Sequence, residues 1–378
     1  MQKVVLILLD GFSANYINSK YTPFLHELTK THYYKRMKPP FGFEGTVATL
    51  LSGLSPSDHG IFDILKFSPG SSIFKFFSRL PRGLRRLMNK ADPLCLKYLI
   101  IMALEGIPLR RFYIPFEVAE YVDIALRKPL YSRSALKVSL FNTLAEKHIP
   151  YIILTSFNMV ERYLKRGQIL PFTYIYLSQV DRLGHLHGPD SQQVKNTLTF
   201  IDGNLEIMVN NLLKKSKNSS IIITADHGMA KVERYLNVID NFRDYNKIEH
   251  GKDYVAIVGG TMARFWVVDA KRKEYIYSRI RDVMDRHSRQ LKLLNHADLD
   301  NLGVPKQKAH RGDLFYVAYQ GSMIVPNYYS GKLRFKGMHG YVSGDPWLDI
   351  PLIAVNVAGS MEKPTDLYST IVSLIKSK

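Results

Sequence analysis

The amino-acid sequence predicts an α/β fold with a mostly parallel central sheet flanked by helices and with inserted cap segments. Apolar, strand-like runs alternate with helical patterns, which is typical of parallel sheets whose crossover connections are helices. Three of the runs end in an aspartate, namely Asp10, Asp181 and Asp226. Because ligands bind beyond the carboxyl ends of the strands in such sheets, these aspartates predict where a functional site lies.

The elements follow in chain order. The stretch TPFLHELTK (22–30) predicts a helix with Thr22 as N-cap and Pro23 at its first position. A longer helical pattern covers residues 190–216. The strand-like runs that alternate with these helices are KVVLILLD (3–10), YIILTSF (151–157), TYIYLSQVD (173–181) and SIIITADHG (220–228).

The domain organisation is expected to be one catalytic domain with one insertion. Residues 1–65 and 126–378 form the catalytic domain, and residues 66–125 form a basic amphipathic cap. Within the catalytic domain, residues 232–335 predict a small α+β segment. Its strands are expected in GGTMARFWVVD (259–269) and GDLFYVAY (312–319).

The cysteine content and the apolar segments of the sequence indicate the cellular compartment of the protein. The chain has 378 residues and a single cysteine, Cys95, so no intrachain disulfide is possible, which suits a reducing compartment. The first apolar run has only Lys3 ahead of it and no small-residue cleavage motif behind it. The longest apolar stretch, 94–107, is interrupted by charges and too short to span a bilayer. We expect a cytoplasmic protein, with a peripheral position at a membrane as an alternative.

The net charge of +19 predicts an anionic partner, first of all a phosphorylated substrate. The positive charge is concentrated in residues 66–111, which contain ten Lys and Arg residues and only two acidic residues, Asp92 and Glu105. Apolar and basic residues there recur on opposite sides of a helical pattern, which predicts contact with an anionic membrane surface. The alternative is that residues 66–111 do not contact a membrane. In that case their apolar stripe packs on the core and their basic face is solvated. No nucleic-acid-binding module is recognised, so specific nucleic-acid binding is not expected.

Three short motifs carry ligand-type side chains: VDRLGHLHGPD, TADHGM and KGMHGY. Each motif alone is a weak signal, but in this order, mostly at predicted strand ends, they form a strong one. With the aspartate of the first strand they supply three carboxylates and three imidazoles. Six such ligands fit two divalent metal ions with three protein ligands each. The residues are Asp10, Asp181, His185, Asp226, His227 and His339.

These motifs resemble those of the alkaline phosphatase superfamily, most closely its type I phosphodiesterase/nucleotide pyrophosphatase branch. SGLSPSDHGI (52–61) and GDLFYVAYQGSMI (312–324) are similar to further family segments, and the resemblance covers nearly the whole chain apart from 66–125. It implies two divalent metal ions, with zinc as the expected metal and manganese as the alternative. The ligand sets that it implies are Asp10, Asp226 and His227 for one ion and Asp181, His185 and His339 for the other.

The resemblance also implies a reaction, the two-metal-dependent hydrolysis of phosphate esters. Phosphodiester or pyrophosphate bonds in nucleotide-, sugar- or lipid-linked substrates are the expected targets. Two alternatives stay open, a phosphomonoesterase of the same superfamily and a non-catalytic homologue that binds anions or membranes. A sulfatase is not expected, because the chain has no C-x-P-S-R motif.

The sequence departs from the family pattern at the position of the nucleophile. In the family the attacking hydroxyl stands ten residues before the glycine that corresponds to Gly53, and this chain has Phe43 there. Thr46 is the nearest hydroxyl and is our predicted nucleophile. Glu44 is the alternative, as a general base for an attacking water molecule. Thr49 lies a turn further along and is expected to pack or to bond back to the helix.

Overall fold

The structure is a computed structural model that describes residues 2–75, 81, 112–126, 128, 130, 132, 135–239, 242, 247–342 and 344–376. Its strands are β1 (Val4–Leu9), β2 (Tyr33–Met37), β3 (Leu65–Phe67), β4 (Val122–Ile124), β5 (Tyr151–Leu154), β6 (Phe172–Leu177), β7 (Ser220–Thr224), β8 (Ala230–Lys231), β9 (Arg234–Leu236), β10 (Tyr254–Val258), β11 (Met262–Val267), β12 (Leu291–Leu294), β13 (Leu314–Ala318), β14 (Ser322–Ile324), β15 (Gly337–Met338) and β16 (Ile350–Val355). Its helices are α1 (Pro23–Thr31), α2 (Gly45–Ser52), α3 (Pro56–His59), α4 (Leu140–Glu146), α5 (Phe157–Lys165), α6 (Gln179–His187), α7 (Gln192–Lys215), α8 (Lys273–Met284), α9 (His296–Asn301), α10 (Lys308–Arg311) and α11 (Asp366–Lys376).

The predicted central sheet is confirmed. It has the strand order β2-β16-β7-β1-β6-β5, in which β7, β1, β6 and β5 are parallel and β16 is antiparallel to both of its neighbours. All six residues of β1 are buried, as expected for a strand at the centre of a sheet that is covered on both faces. Helices pack against this sheet and complete the first apolar core.

Several predicted strands end earlier than expected, among them β5 at Leu154, β6 at Leu177 and β7 at Thr224. The run 173–181 was expected to be a strand ending in Asp181, but β6 ends at Leu177 and Asp181 lies in the first turn of α6. The polar residues after Leu177 end the apolar run, and Val180 and Gly184, four apart, form the buried side of the helix. Asp181 therefore reaches the edge of the sheet from a helix.

The helix expected at 22–30 is α1, and Thr22 occupies the position before it. The Thr22 hydroxyl, however, donates to the carbonyl oxygen of Tyr16 (2.8 Å) and makes no bond to the helix. The amides of Phe24 and Leu25 instead donate to the carboxylate of Asp202 on α7 (2.8 and 2.9 Å). A residue distant in sequence thus supplies the cap that we expected from Thr22.

A second, antiparallel sheet has the order β10-β11-β13-β12, and α8 packs against it. The strands expected at 259–269 and 312–319 are present as β11 and β13. This sheet builds a second apolar core, to which β3 and β4 also contribute. The proposed boundaries of the catalytic domain, the cap and the α+β segment remain predictions, and most of 66–111 lies outside the described residues. None of the described helices has the length and apolar composition needed to cross a membrane.

A buried ion pair joins the second sheet to the segment that follows α3. Arg264 on β11 is fully buried and pairs with Asp63, which is 1% exposed. The guanidinium also donates to the carbonyl oxygens of His310 (3.1 Å) and Leu65 (3.0 Å). The hydroxyl of Tyr329 donates to the same carboxylate of Asp63 (2.9 Å). These bonds fix the position of Tyr329, which borders the candidate site.

We expect Arg264→Met to lower the free energy of unfolding by about 3–5 kcal/mol, because it leaves the Asp63 carboxylate buried without its cation. Urea denaturation followed by circular dichroism measures the effect. The matched control is Lys30→Met, which breaks an exposed pair with Glu27 and should cost under about 1 kcal/mol. Equal losses in the two variants would contradict the importance of the buried pair.

Candidate metal centre and active-site cavity

The carboxyl edge of the central sheet brings the predicted aspartates together. Asp10 follows β1 and Asp226 follows β7, while the amide of Asp181 donates to the carbonyl oxygen of Asp10 (3.1 Å). Gly11 has a φ of +70°, and a Cβ atom there would lie 2.6 Å from the Cα of Asp181. A glycine at this position is therefore required for α6 to approach β1 so closely.

A short strand pair brings the last histidine to the same place. β15 pairs with β8, with Met338 opposite Ala230, so that His339 follows directly beyond the pair. The rings of His339 and His227 are stacked, with centroids 3.5 Å apart and planes 7° apart. His185, one turn after Asp181 on α6, has its ring centroid 5.2 Å from that of His339.

Two groups of ligand-type atoms result, each with its members within 4.8 Å of one another. The first consists of Asp181, His185 and His339, and it is one of the two sets that the sequence predicted. The second contains Asp10 and His227 together with Asp181 instead of Asp226. Asp226 lies beside this second group, with its Oδ2 3.7 Å from Nε2 of His227. The two groups share Asp181, so they form one continuous centre.

Hydrogen bonds orient the histidines for metal binding. Nδ1 of His185 lies 2.9 Å from the carbonyl oxygen of Gly337, and Nδ1 of His227 lies 3.0 Å from that of Gly228. A carbonyl oxygen accepts only, so each Nδ1 donates, and the Nε2 atoms of His185 and His227 face the carboxylates of Asp181 (3.2 Å) and Asp10 (3.4 Å). The buried Nδ1 of His339 has no hydrogen-bond partner among the described residues. This donor set fits divalent metal ions.

The electrostatics of the centre also favour a cation. Burial and the charges of Asp226 and Asp181 raise the pKa of Asp10 well above its usual value. Burial and Asp181 raise the pKa of Asp226 to about 7. Burial and the neighbouring His227 lower the pKa of His339 well below its usual value, which keeps that imidazole neutral. Crowded, buried carboxylates beside a neutral imidazole are stabilised when positive charge is bound between them.

Tyr176, at the penultimate position of β6, donates its hydroxyl to Oδ2 of Asp10. We expect Tyr176→Phe to weaken divalent metal binding about 10–100-fold, because the bond holds a ligand carboxylate in place. Competition with a chromophoric chelator measures the affinity. Tyr319→Phe, at an exposed tyrosine outside the cavity, is the control and should have no effect. An unchanged affinity in Tyr176→Phe would refute this role.

The centre lies in a cavity of about 610 Å³. Glu44, the residue before α2, and Phe43 line it, and the Phe43 ring packs edge-on against His339 with centroids 5.0 Å apart. Thr46, on the first turn of α2, is 5% exposed and is not among the lining residues. Thr49 is buried, and its hydroxyl lies 3.1 Å from Nε2 of His59. The structure thus brings Glu44 to the cavity, and Thr46 as nucleophile stays a prediction that the cavity wall does not support.

The sequence did not indicate three features of this site. They are the contributions of Tyr176 and Tyr329 and the packing of Phe43 against His339. Tyr176 lies inside the strand predicted at 173–181, where a tyrosine is expected to pack within the sheet. Tyr329 lies in an irregular segment, lines the cavity and donates to Asp63. Each contact joins residues far apart in the chain, so no local pattern indicates it.

A mixed α/β fold with Asp and His side chains gathered at the carboxyl edge of its sheet is the alkaline phosphatase-like arrangement that the sequence predicted. The chain belongs to the family described as type I phosphodiesterase / nucleotide pyrophosphatase, whose model matches residues 4–342. Divalent metal use follows from this family, and the two groups that share Asp181 are the candidate sites for it.

Individual relatives agree with this assignment. The chain is 25% identical over 320 residues to ectonucleotide pyrophosphatase/phosphodiesterase 1 of Saccharomyces cerevisiae, and the match covers 74% of the chain but 41% of the yeast protein. It is 23% identical to human ectonucleotide pyrophosphatase/phosphodiesterase family member 5, covering 99% of the chain and 74% of that protein. The chain thus spans less than half the length of the yeast relative.

Solved structures support the fold. The inactive variant of murine ectonucleotide pyrophosphatase/phosphodiesterase 5, in complex with AMP, matches with a TM-score of 0.71 at 17% sequence identity. The match covers 100% of this chain and 96% of the murine one. The alkaline phosphatase-like architecture expected from the sequence is therefore confirmed.

Proposed function

We propose that this protein hydrolyses phosphodiester or pyrophosphate bonds with the help of two divalent metal ions. The observation that carries the proposal is the pair of Asp/His groups that share Asp181 inside the cavity. Family membership supports the same reaction class. The anionic substrate matches the excess of Lys and Arg over Asp and Glu in the chain.

The proposed ligands divide between two ions. Asp181, His185 and His339 hold one ion, and Asp10 and His227 hold the other together with Asp226 or Asp181. A mixed set of imidazole and carboxylate ligands suits zinc, and manganese accepts the same set. When bound, the two ions neutralise the charge that develops on the attacking and leaving oxygens.

For the nucleophile we favour a water molecule activated by Glu44. Among the described residues that line the cavity there is no Ser, Thr or Cys. Two of the three lining phenols are poor nucleophiles, since burial raises the pKa of Tyr176 and of Tyr329. Glu44 is a carboxylate on the cavity wall, where it accepts the proton of the attacking water. Thr46 as a covalent nucleophile is the competing proposal, and variants of both residues decide between them.

We propose a cytoplasmic protein that meets an anionic membrane surface through residues 66–111, because the net positive charge of that stretch favours such contact. The stretch lies mostly outside the described residues, so its sequence alone supports this part of the proposal.

Turnover of paired chromogenic substrates tests the reaction class. Metal-loaded protein should release p-nitrophenol from bis-p-nitrophenyl phosphate faster than from p-nitrophenyl phosphate. A preference for the monoester would point to the alternative, a phosphomonoesterase. No release from either substrate, with both metals bound, would refute hydrolysis and favour a non-catalytic anion-binding protein.

A further inference from the structure

Aliphatic side chains form one part of the cavity lining, alongside the aromatic rings of Phe43, Phe112 and Phe335. Val47 and Leu51 lie on one face of α2, a turn apart, and the other aliphatic lining residues lie next to β3 and at or beyond the end of β4. The six residues of this aliphatic wall are Val47, Leu51, Ile64, Ile124, Leu126 and Leu130.

The aliphatic wall lies where the two apolar cores meet. Leu51 and Leu130 belong to the core of the central sheet, and Val47 and Leu126 pack against it. Ile64 and Ile124 belong to or pack against the core of the second sheet. The cavity therefore continues from the metal centre into a seam between two apolar cores, which is an environment for an apolar group.

Polar recognition groups are scarce on the lining. Apart from the Asp and His residues of the metal centre, the described polar lining residues are Glu44, Lys128 and three tyrosines. Two of those phenols, Tyr176 and Tyr329, donate to Asp10 and Asp63. No Asn, Gln, Ser or Thr lines the cavity in the described part of the chain. A nucleobase or sugar placed along these six aliphatic residues would lose hydrogen bonds to water without regaining them there, which is unfavourable.

We propose that the ester group bound along the aliphatic wall is an aliphatic chain, so that the substrate is a lipid phosphodiester or a lipid-linked pyrophosphate. The cavity is large enough to hold such a group beside a phosphate, since its volume lies in the usual range for organic ligands. Cleavage of such a lipid ester rests on the proposed function, whereas binding of its aliphatic chain to the aliphatic wall does not.

The amino-acid sequence that follows Ile64 also fits a lipid substrate. Residues 66–111 carry ten Lys and Arg residues against two acidic ones, and they begin within β3, next to Ile64. They end one residue before Phe112, which itself lines the cavity. The positive charge of this stretch favours an anionic lipid as ligand.

Binding of alkyl phosphates tests chain recognition without turnover. Titration calorimetry of the metal-loaded protein with methyl, butyl and octyl phosphate should show a dissociation constant that falls roughly fourfold per buried methylene until the wall is covered. Octyl phosphate should bind more tightly than AMP. Dissociation constants independent of chain length, or tighter binding of AMP, would overturn the proposal.

Two substitutions at half-buried positions of the aliphatic wall test whether the alkyl chain binds there. Ile64→Gln and Leu126→Gln should each reduce the ratio of octyl to methyl phosphate affinity by about tenfold. Ile207→Gln, at a 64% exposed position on α7, is the matched control and should leave the ratio unchanged. If both wall variants keep the ratio of the unaltered protein, the chain does not lie on this wall and the proposal is wrong.

Turnover then separates the two sources of an aliphatic chain. The substrates are a diacyl glycerophospholipid and a polyisoprenyl diphosphate ester, each in the same neutral detergent. Cleavage of either one supports the proposal and identifies its source. Cleavage of dinucleotide phosphodiesters but of neither lipid would overturn it. Chain-length-dependent binding without cleavage of any ester would refute the proposed reaction while supporting lipid recognition.

Discussion

Asp181→Asn is expected to abolish turnover, with a fall on the order of 10³-fold or more. Asp181 belongs to both groups of ligand-type atoms, so its loss affects both ions at once. Metal ions supply several kcal/mol of charge stabilisation in phosphate-ester chemistry, and each 1.4 kcal/mol changes a rate about tenfold. The measurement is kcat on bis-p-nitrophenyl phosphate, with the metal content of the same sample determined by elemental analysis.

The control for this variant is Asp190→Asn, which makes the same change at an exposed residue just beyond α6. It should keep full metal content and activity. Circular dichroism should show both variants to be folded. An Asp181→Asn protein that keeps two metal ions and its turnover would contradict the shared-ligand arrangement.

Glu44→Gln is expected to lower kcat by about 10²–10⁴-fold, the usual contribution of a general base, while Thr46→Ala leaves kcat nearly unchanged. The reason is position, since Glu44 lines the cavity and Thr46 does not. Both variants should be measured at saturating substrate with their metal content verified. Under this account the metal content is the same as in the unaltered protein.

Glu146→Gln, at an exposed glutamate at the end of α4, is the matched control and should be fully active. The reverse result, an inactive Thr46→Ala beside an active Glu44→Gln, would establish the covalent route and refute attack by water. Stereochemistry gives an independent check, because a single displacement inverts a chiral phosphorus and a double displacement retains its configuration.

Local patterns were enough to predict much of the candidate site. Asp226 and His227 are adjacent after a buried apolar run, and Asp181 and His185 are one helical turn apart. Such short-range relations can be read from a sequence, because strand and helix periods fix which side chains share a face. The apolar runs that form β1, β6 and β7 likewise indicated the parallel sheet.

The remaining features depend on contacts between distant parts of the chain. Tyr176 and Asp10 are 166 positions apart, and Arg264 and Asp63 are 201 positions apart. Nothing near either residue indicates its partner. Which carboxylates share an ion is decided by the distances across the sheet edge, and for this reason Asp181 joins the second group where the motifs implied Asp226.

We propose that phosphodiester hydrolysis by this protein depends on two divalent metal ions at this centre. The most direct test is a titration of metal-free protein with zinc or manganese, following bound metal and bis-p-nitrophenyl phosphate turnover in the same samples. We expect no turnover in the presence of chelator, and full turnover when two ions are bound per chain. Full turnover by the metal-free protein, or two bound ions without any turnover, would contradict it.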